Sequence, residues 1–407
     1  MIEPRDVLFS DIRLRNMTLP NRIIRSATYE GWGESNGTPK PELAGVYSQL
    51  ARGGVGTIIT GFAFVSQAGR AMHPGQCGID NDEKIAPWRR IVEEVREASP
   101  EVKLVMQLAH TGRQTRRQVT GMPLVGASDK PCSYFRQRPH ALDEHSMMRI
   151  IDEFAQAANR ARKAGFDAVQ IHAAHGYLIH QFLSPWTNTR TDRWADRPLL
   201  LEKVVEAVRS ECDHSFPILV KLSAADDNSP GIRVEDTIQT VKRLEKLGID
   251  AIEVSYGTME YALNIIRGAV PIDAVLNVNP MFNRIPGLLK ILWKKFCAPA
   301  YTRKFIPYEE NYNLKAASLI KAETKPPVIL VGGIRTVGSM EDIVKVCGID
   351  AISLCRPLIC EPDLPKKLRS GESTRSKCTN CNMCTIYCDS RQPLRCYRGK
   401  GNANERC

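Results

Sequence analysis

Three times this chain writes nearly the same phrase, and the phrase dictates an alternation of helix and buried strand. Ala164-Gly-Phe-Asp-Ala-Val-Gln-Ile, Leu247-Gly-Ile-Asp-Ala-Ile-Glu-Val and Cys347-Gly-Ile-Asp-Ala-Ile-Ser-Leu each close a stretch whose apolar residues recur at helical spacing, as over 150–163 and 237–246. Glycine enters the left-handed conformation without a Cβ clash and so ends the helix. The short apolar run after Asp then reads as a strand buried on both faces. Arg52-Gly-Gly-Val-Gly-Thr-Ile-Ile-Thr is a looser copy of the same joint. With the remaining apolar runs, strands are predicted near 22–28, 56–61, 103–108, 167–172, 217–223, 250–255, 327–332 and 350–355. Eight strands, mostly separated by helices, predict an α/β fold, a parallel (β/α)8 TIM barrel with right-handed crossovers. An open doubly wound sheet is the alternative, disfavoured because no Gly-x-Gly-x-x-Gly turn follows a strand.

Barrel chemistry sits at the C-terminal ends of the strands. Polar residues gather there: Ser26 and Thr28 after the first strand, Gln107 and His110 after the third, and His172 and His175 after the fourth. Lys221 ends the fifth, Ser255 the sixth, Gly332-Gly333 follow the seventh and Cys355-Arg356 the eighth. The last two ends read as a phosphate cradle, in which glycine backbone approaches an anion and a guanidinium closes the corner. The alternative is a tight turn beside a surface arginine. His172, His175 and Tyr177 crowd one rim, where two imidazoles can hold a carbonyl or phenolate oxygen and a tyrosine can give up a proton. Zinc is the rival use of His-x-x-His, without an evident third ligand, and plain core histidines are the bland reading.

Composition narrows the class. Forty-three per cent hydrophobic and 25% charged residues fit an ordinary soluble chain. The start lacks a basic region followed by an apolar stretch, and no apolar run is long enough to span a bilayer, so a cytoplasmic protein without a transmembrane segment is expected. The formal charge of +11 is concentrated after Lys366. No basic helix with interleaved aromatics accompanies it, which disfavours nucleic acid as a partner. The same tail holds Cys378, Cys381, Cys384, Cys388 and Cys396, a crowding that reads as a metal or cluster site rather than a disulfide framework. Cys-x2-Cys-x2-Cys with a distant fourth Cys suits iron–sulfur ligation, with zinc or free thiols as alternatives. The expected organisation is a barrel over 1–364, with an excursion at 260–312, followed by a basic Cys-rich tail over 365–407.

On these motifs the chain resembles the old yellow enzyme family of flavin oxidoreductases, in the branch of the barrel domain of bacterial 2,4-dienoyl-CoA reductase. The resemblance rests on the opening 8–28, Gly53–Gly61, Gln107-Leu-Ala-His-Thr-Gly-Arg113, His172–Pro185, Asn188-Thr-Arg-Thr-Asp192 and the last two strand ends. It implies FMN, with Ser26, Ala27, Thr28, Gly61 and Gln107 along the isoalloxazine and Gly332, Gly333, Cys355 and Arg356 at the phosphate. It further implies NADH or NADPH as reductant and an enone or enoyl substrate whose oxygen His172 and His175 bind while Tyr177 protonates the α carbon. Relatives carry Arg where this chain has Lys221, which keeps the charge near the flavin but loses bidentate contact. Tyr29 likewise stands where they carry Thr or Cys. Larger relatives place a [4Fe–4S] cluster after the barrel with Cys-x2-Cys-x3-Cys spacing. The ligands here are therefore open between 378/381/384 and 381/384/388, with Cys396 as fourth. An ene-reductase is the leading expectation. A flavin amine dehydrogenase or demethylase, or one redox subunit fed by a partner protein, is the alternative, and a homo-oligomer is the expected assembly. The basic apolar stretch 280–304 reads as a lid, a membrane-surface helix or an ordinary packed helix.

Overall fold

The computed structural model describes residues 6–279, 282–388, 390 and 392–398. Eight parallel strands close on themselves: β1 (Ile23–Arg25), β2 (Thr57–Ile59), β3 (Lys103–Ala109), β4 (Ala168–Ala173), β5 (Ile218–Ser223), β6 (Ala251–Ser255), β7 (Val328–Val331) and β8 (Ala351–Leu354). Each pairs with the next, and β8 pairs back onto β1 through Ser353 opposite Ile24. The eight predicted strands are all present, all but the third and fourth shorter than predicted and the first two most so. Helices on the outside include Glu42–Arg52, Ile85–Ala98, Glu144–Lys163, Leu199–Cys212 and Val234–Lys246.

The aspartate of the repeated phrase explains why the phrase recurs. Asp167, Asp250 and Asp350 each donate a backbone N–H to the strand before, at Leu104, Ile218 and Val328. Each side-chain carboxylate then accepts the N–H of that same residue, at 2.8, 2.8 and 2.7 Å. A cation from the last turn of the preceding helix, Arg96, Arg209 or Lys321, completes each joint. One residue type thus satisfies the bottom of two strands and pins the helix that leads into the first of them.

Side chains alternate along a strand, so every second residue enters the barrel. The lowest inward layer is wholly apolar: Ile24, Ile59, Val105, Ala168, Leu219, Ala251, Ile329 and Ala351, one from each strand. A hairpin not anticipated from the sequence, Ile12–Leu14 with Met17–Leu19, plugs this end with Leu14, Met17 and Leu19. Asp250 also accepts the N–H of Asn16 and so fastens the plug. Two residues further up, the layer turns polar with Ser26, Gln107, Gln170, Lys221 and Glu253, all buried. The tail returns over this upper rim, where Ala269 N donates to the Asn380 carbonyl and Leu394 N to that of Glu30.

Asp250 is buried and serves two backbone N–H groups and Arg209. Asp250→Ala leaves the buried Ile218 N–H without its acceptor and removes the carboxylate beside the largely buried Arg209, and the expected loss of unfolding free energy is about 3–5 kcal/mol. Urea unfolding checks this, and a loss no larger than for an exposed Asp82→Ala control counts against the joint.

Candidate active site

The polar layer is one connected network. Gln107 Nε2 donates to Gln170 Oε1 at 2.6 Å, and Gln170 Nε2 donates to Glu253 Oε2 at 2.8 Å. The Ser26 hydroxyl donates to Glu253 Oε1 at 2.7 Å and accepts from Lys221 Nζ at 3.0 Å. Lys221 Nζ lies 3.2 Å from Glu253 Oε2. Burial alone would raise the Glu253 carboxyl, but the ammonium and the hydrogen bonds from Ser26 and Gln170 hold it below its ordinary value.

Above this floor lie two cavities that share Ala27, His175, Lys221 and Cys355. The smaller, about 110 Å³, takes Ser26 and then runs to Gly332, Gly333, Arg335 and Arg356. The two glycines have φ of +125° and +78°. A Cβ on them would come within 2.6 Å of the Tyr312 ring and 2.7 Å of Asn311 N, so only glycine fits this turn. The larger cavity, about 270 Å³, is lined by Thr28, Gln107, His172, His175 and Tyr177, with an apolar wall that includes Phe62 and Met72.

On that wall the His172 ring stands 5.0 Å from His175, edge to face, and 4.8 Å from Tyr177. Burial, aided by Lys221, pushes both imidazoles well below the ordinary histidine value, so both are neutral. His172 Nδ1 accepts the Ala174 N–H at 3.2 Å. In a neutral ring the proton then sits on Nε2, which makes that nitrogen a donor. His175 Nε2 lies 2.7 Å from the Ser255 hydroxyl. Its backbone is left-handed at φ +61°, held there by donors to its carbonyl from Gln114 and Met259 and by its own N–H on Ser223. Strain of this kind persists only where neighbours over-determine it.

Not every sequence-predicted residue arrives. Gly61 lines neither cavity, its N–H donating to Glu30 Oε1 at 2.8 Å. Cys378, Cys381, Cys384 and Cys396 do line one small cavity of about 20 Å³ beside Arg356, and Cys360, which sequence reasoning missed, lines it with them. Cys388 does not. It lies against the Tyr29 carbonyl and lines the larger cavity. A hydrogen bond from the Cys360 thiol holds Cys396 down to about 6, and burial pushes Cys384 up to about 12. Among the described residues no three His, Cys, Asp or Glu side chains converge on one point where an ion would sit. Sequence reasoning also missed Glu253, Gln170, Phe62 and His73. The first two were legible as the inward residues two past Ala251 and Ala168, whereas Phe62 and His73 lie in an irregular loop.

A barrel whose mouth combines a glycine turn, two arginines and a donor-lined cavity invites comparison with flavin barrels. Residues 7–272 match the NADH:flavin oxidoreductase / NADH oxidase family. The chain belongs to the old yellow enzyme family. It is 33% identical over 397 residues to a metal reductase of Desulforamulus reducens, covering 96% of this chain and 53% of that protein. An NADH oxidase of Thermoanaerobacter brockii is 30% identical over 382 residues, covering 92% and 53%. The chain therefore spans about half the length of these curated relatives. The structure of the old yellow enzyme homologue from Zymomonas mobilis superposes with a TM-score of 0.70 at 26% identity, covering 91% of this chain and 94% of that one. The family is one of NAD(P)H-dependent flavin oxidoreductases, and membership supports FMN and NAD(P)H as cofactors. The residues fit the flavin, because Arg335 Nε and Asn380 Nδ2 are buried at the smaller cavity without a hydrogen-bond partner among the described residues. No helix among the described residues is long and apolar enough to cross a membrane.

The buried imidazoles set an acid limit on stability. Burial pushes His73 down to about 4 and His110 to about 3, from 6.5. Below about pH 6.5 the unfolded chain takes up protons that the folded chain refuses. Stability is therefore complete above that pH and is lost toward about 4 and 3. Between pH 7 and 5, His110→Gln should lose roughly 2 kcal/mol less than the parent protein. Urea titrations at both pH values test this, and parallel losses would refute it.

Proposed function

We propose that this old yellow enzyme family member is an ene-reductase that uses NAD(P)H to reduce the activated C=C bond of α,β-unsaturated carbonyl compounds. The observation that carries the reading is the neutral His172–His175 pair on the wall of the larger cavity, with Tyr177 packed against it. FMN would lie across the two cavities, its ring along Ala27, Thr28, Gln107 and Lys221 and its phosphate toward Gly332, Gly333, Arg335 and Arg356. Bound FMN supplies the hydride. His172 Nε2–H and His175 would hold the carbonyl oxygen, where negative charge builds as the β carbon is reduced. Neutral donors suit this task, since they stabilise that charge without surrendering a proton to it. Tyr177 would deliver its hydroxyl proton to the α carbon. The apolar wall around Phe62 excludes water from the developing charge.

The division predicts a split between half-reactions. Tyr177→Phe should leave reduction of the bound flavin by NADH within about threefold of the parent and slow its reoxidation by 2-cyclohexen-1-one on the order of 100-fold. Anaerobic stopped-flow absorbance reads both steps. Equal slowing of the two would count against Tyr177 as proton donor, and no enone turnover by the parent protein would remove the substrate class.

We also propose that Cys378, Cys381, Cys384 and Cys396 hold a [4Fe–4S] cluster. These are four of the five cysteines that line the cavity beside Arg356, which supports it, and zinc is the alternative for the same donors. A bound cluster supplies one-electron transfer. Thiols such as Cys384 and Cys378, raised by burial, would have to lose their protons to the metal. Anaerobically purified protein should carry about four irons and four sulfides per chain. Cys388→Ser should keep them and Cys381→Ser should lose them. One zinc without acid-labile sulfide would rule out the cluster, and loss of iron in Cys388→Ser would reassign the ligand set.

A further inference from the structure

The excursion between β6 and β7 carries a concentrated exposed apolar surface. No residue of the helix Gly287–Phe296 is buried. Leu288 is 70% exposed, Ile291 65%, Phe296 67% and Leu292 43%. At 3.6 residues per turn Leu288, Leu292 and Phe296 fall on one side. Lys290 and Lys294 fall on the other, where they reach back to Asn277 and Asp273. The lysines thus tether the helix to the protein while its apolar side faces outward, the reverse of an ordinary surface helix. The segment 280–304 contains six Lys/Arg and no Asp or Glu. Lys295, Arg303 and Lys304 are all exposed. Trp293 packs edge-on against Tyr301 at 5.7 Å, and Tyr301, itself 38% exposed, lines the larger cavity.

We infer that this helix is a membrane-docking surface for an anionic bilayer, with Leu288, Leu292 and Phe296 among the acyl chains and Lys295, Arg303 and Lys304 at the headgroup phosphates. Charge complementarity selects a lipid surface as the occupant. Lys295 rises from within the apolar side, Arg303 and Lys304 follow the helix, and the segment has no carboxylate, the combination that draws a helix to anionic headgroups. Because Tyr301 belongs to both the helix packing and the cavity wall, docking sets the cavity mouth at the membrane surface. The substrate class is then a lipophilic enone that partitions into the bilayer. That second step rests on the ene-reductase reading, whereas the docking does not.

The test uses the full chain with its flavin bound. In co-sedimentation it should pellet with phosphatidylcholine vesicles containing phosphatidylglycerol and stay in solution with phosphatidylcholine alone. The triple variant Leu288→Ser, Leu292→Ser, Phe296→Ser should bind on the order of 100-fold more weakly. Its circular dichroism and its flavin reduction by NADH should be unchanged. Lys295→Gln with Lys304→Gln should weaken binding and flatten its salt dependence. A parent protein that ignores anionic vesicles at low salt, or a triple variant that binds as well as the parent, would overturn the inference. So would sedimentation velocity showing an oligomer that the triple variant dissociates, which would make this face a contact between copies of the chain. For the second step, a long-chain enone dissolved in the vesicles should be reduced faster by the parent than by the triple variant, with equal rates on 2-cyclohexen-1-one. Equal rates on the long-chain enone would overturn the substrate class. Inactivity on both enones with vesicle binding intact would instead strike the reductase reading and spare the docking.

Discussion

Everything above the apolar plug stands on the Lys221–Glu253 pair. Two opposite charges 3.2 Å apart and out of water face a desolvation cost that Coulomb attraction alone does not reliably offset. Here the remaining valences are filled. Glu253 accepts from Ser26 and Gln170, and Lys221 donates to Ser26. The pair also has direction. Lys221 lines both cavities and Glu253 lines neither, so the ammonium faces the cavities with its counter-charge behind it. Gln107 joins through Gln170, so the strand ends β1, β3, β4, β5 and β6 are cross-linked into one floor. The rim above it inherits that rigidity, which is what a site needs if donors are to be aimed before a ligand arrives.

The rim shows the same economy in a different form. His172 and His175 come from one turn of chain, yet different partners orient them. Ala174 N–H fixes the tautomer of His172, and Ser255 fixes the ring of His175. The left-handed backbone at His175 lets the chain double back within three residues and set Tyr177 at 4.8 Å from His172. A side chain in that conformation costs on the order of 1 kcal/mol or more, and four backbone and side-chain partners hold it there. Strain and neutral burial are both unfavourable for stability, and both are concentrated in the residues to which chemistry is ascribed.

How far the sequence discloses this follows from what is local. The Gly-x-Asp-Ala phrase is legible because its glycine, its aspartate and the strand act within a few residues, and the strands it implies are where they were expected. The meaning of the aspartate is not legible, since its partners Leu104, Ile218 and Val328 lie 22 to 63 residues away. The plug escapes notice because its two strands are three residues each, too short for alternation to register. The family resemblance implies a flavin contact for Gly61, and the fold gives its N–H to Glu30 from another loop. The cysteines divide the same way. Spacing alone leaves Cys384 and Cys388 interchangeable, yet they stand a helical turn apart in Met383–Cys388, about 6 Å along the axis. That rise carries Cys388 away from the Cys378–Cys381 loop. Cys360 joins from the end of the barrel, where no spacing rule would look.

That separation of Cys384 from Cys388 links the tail to the barrel mouth. Cys384 and Ile359 line both the small cysteine cavity and the larger cavity, so two side chains divide them. Arg356 does the same at the other end, lining the cysteine cavity and the smaller cavity while it donates to Asn382 at 2.5 Å. Asn382 in turn donates to the Ala269 carbonyl, so the same arginine that faces the anion end of the barrel holds the cysteine loop against the excursion. A change in charge at the cysteine cavity is therefore felt in both neighbouring cavities, because Arg356 is buried and Cys384 half-buried, and such groups are poorly screened. The tail is then an electrostatic part of the barrel mouth, whichever group its thiols bind.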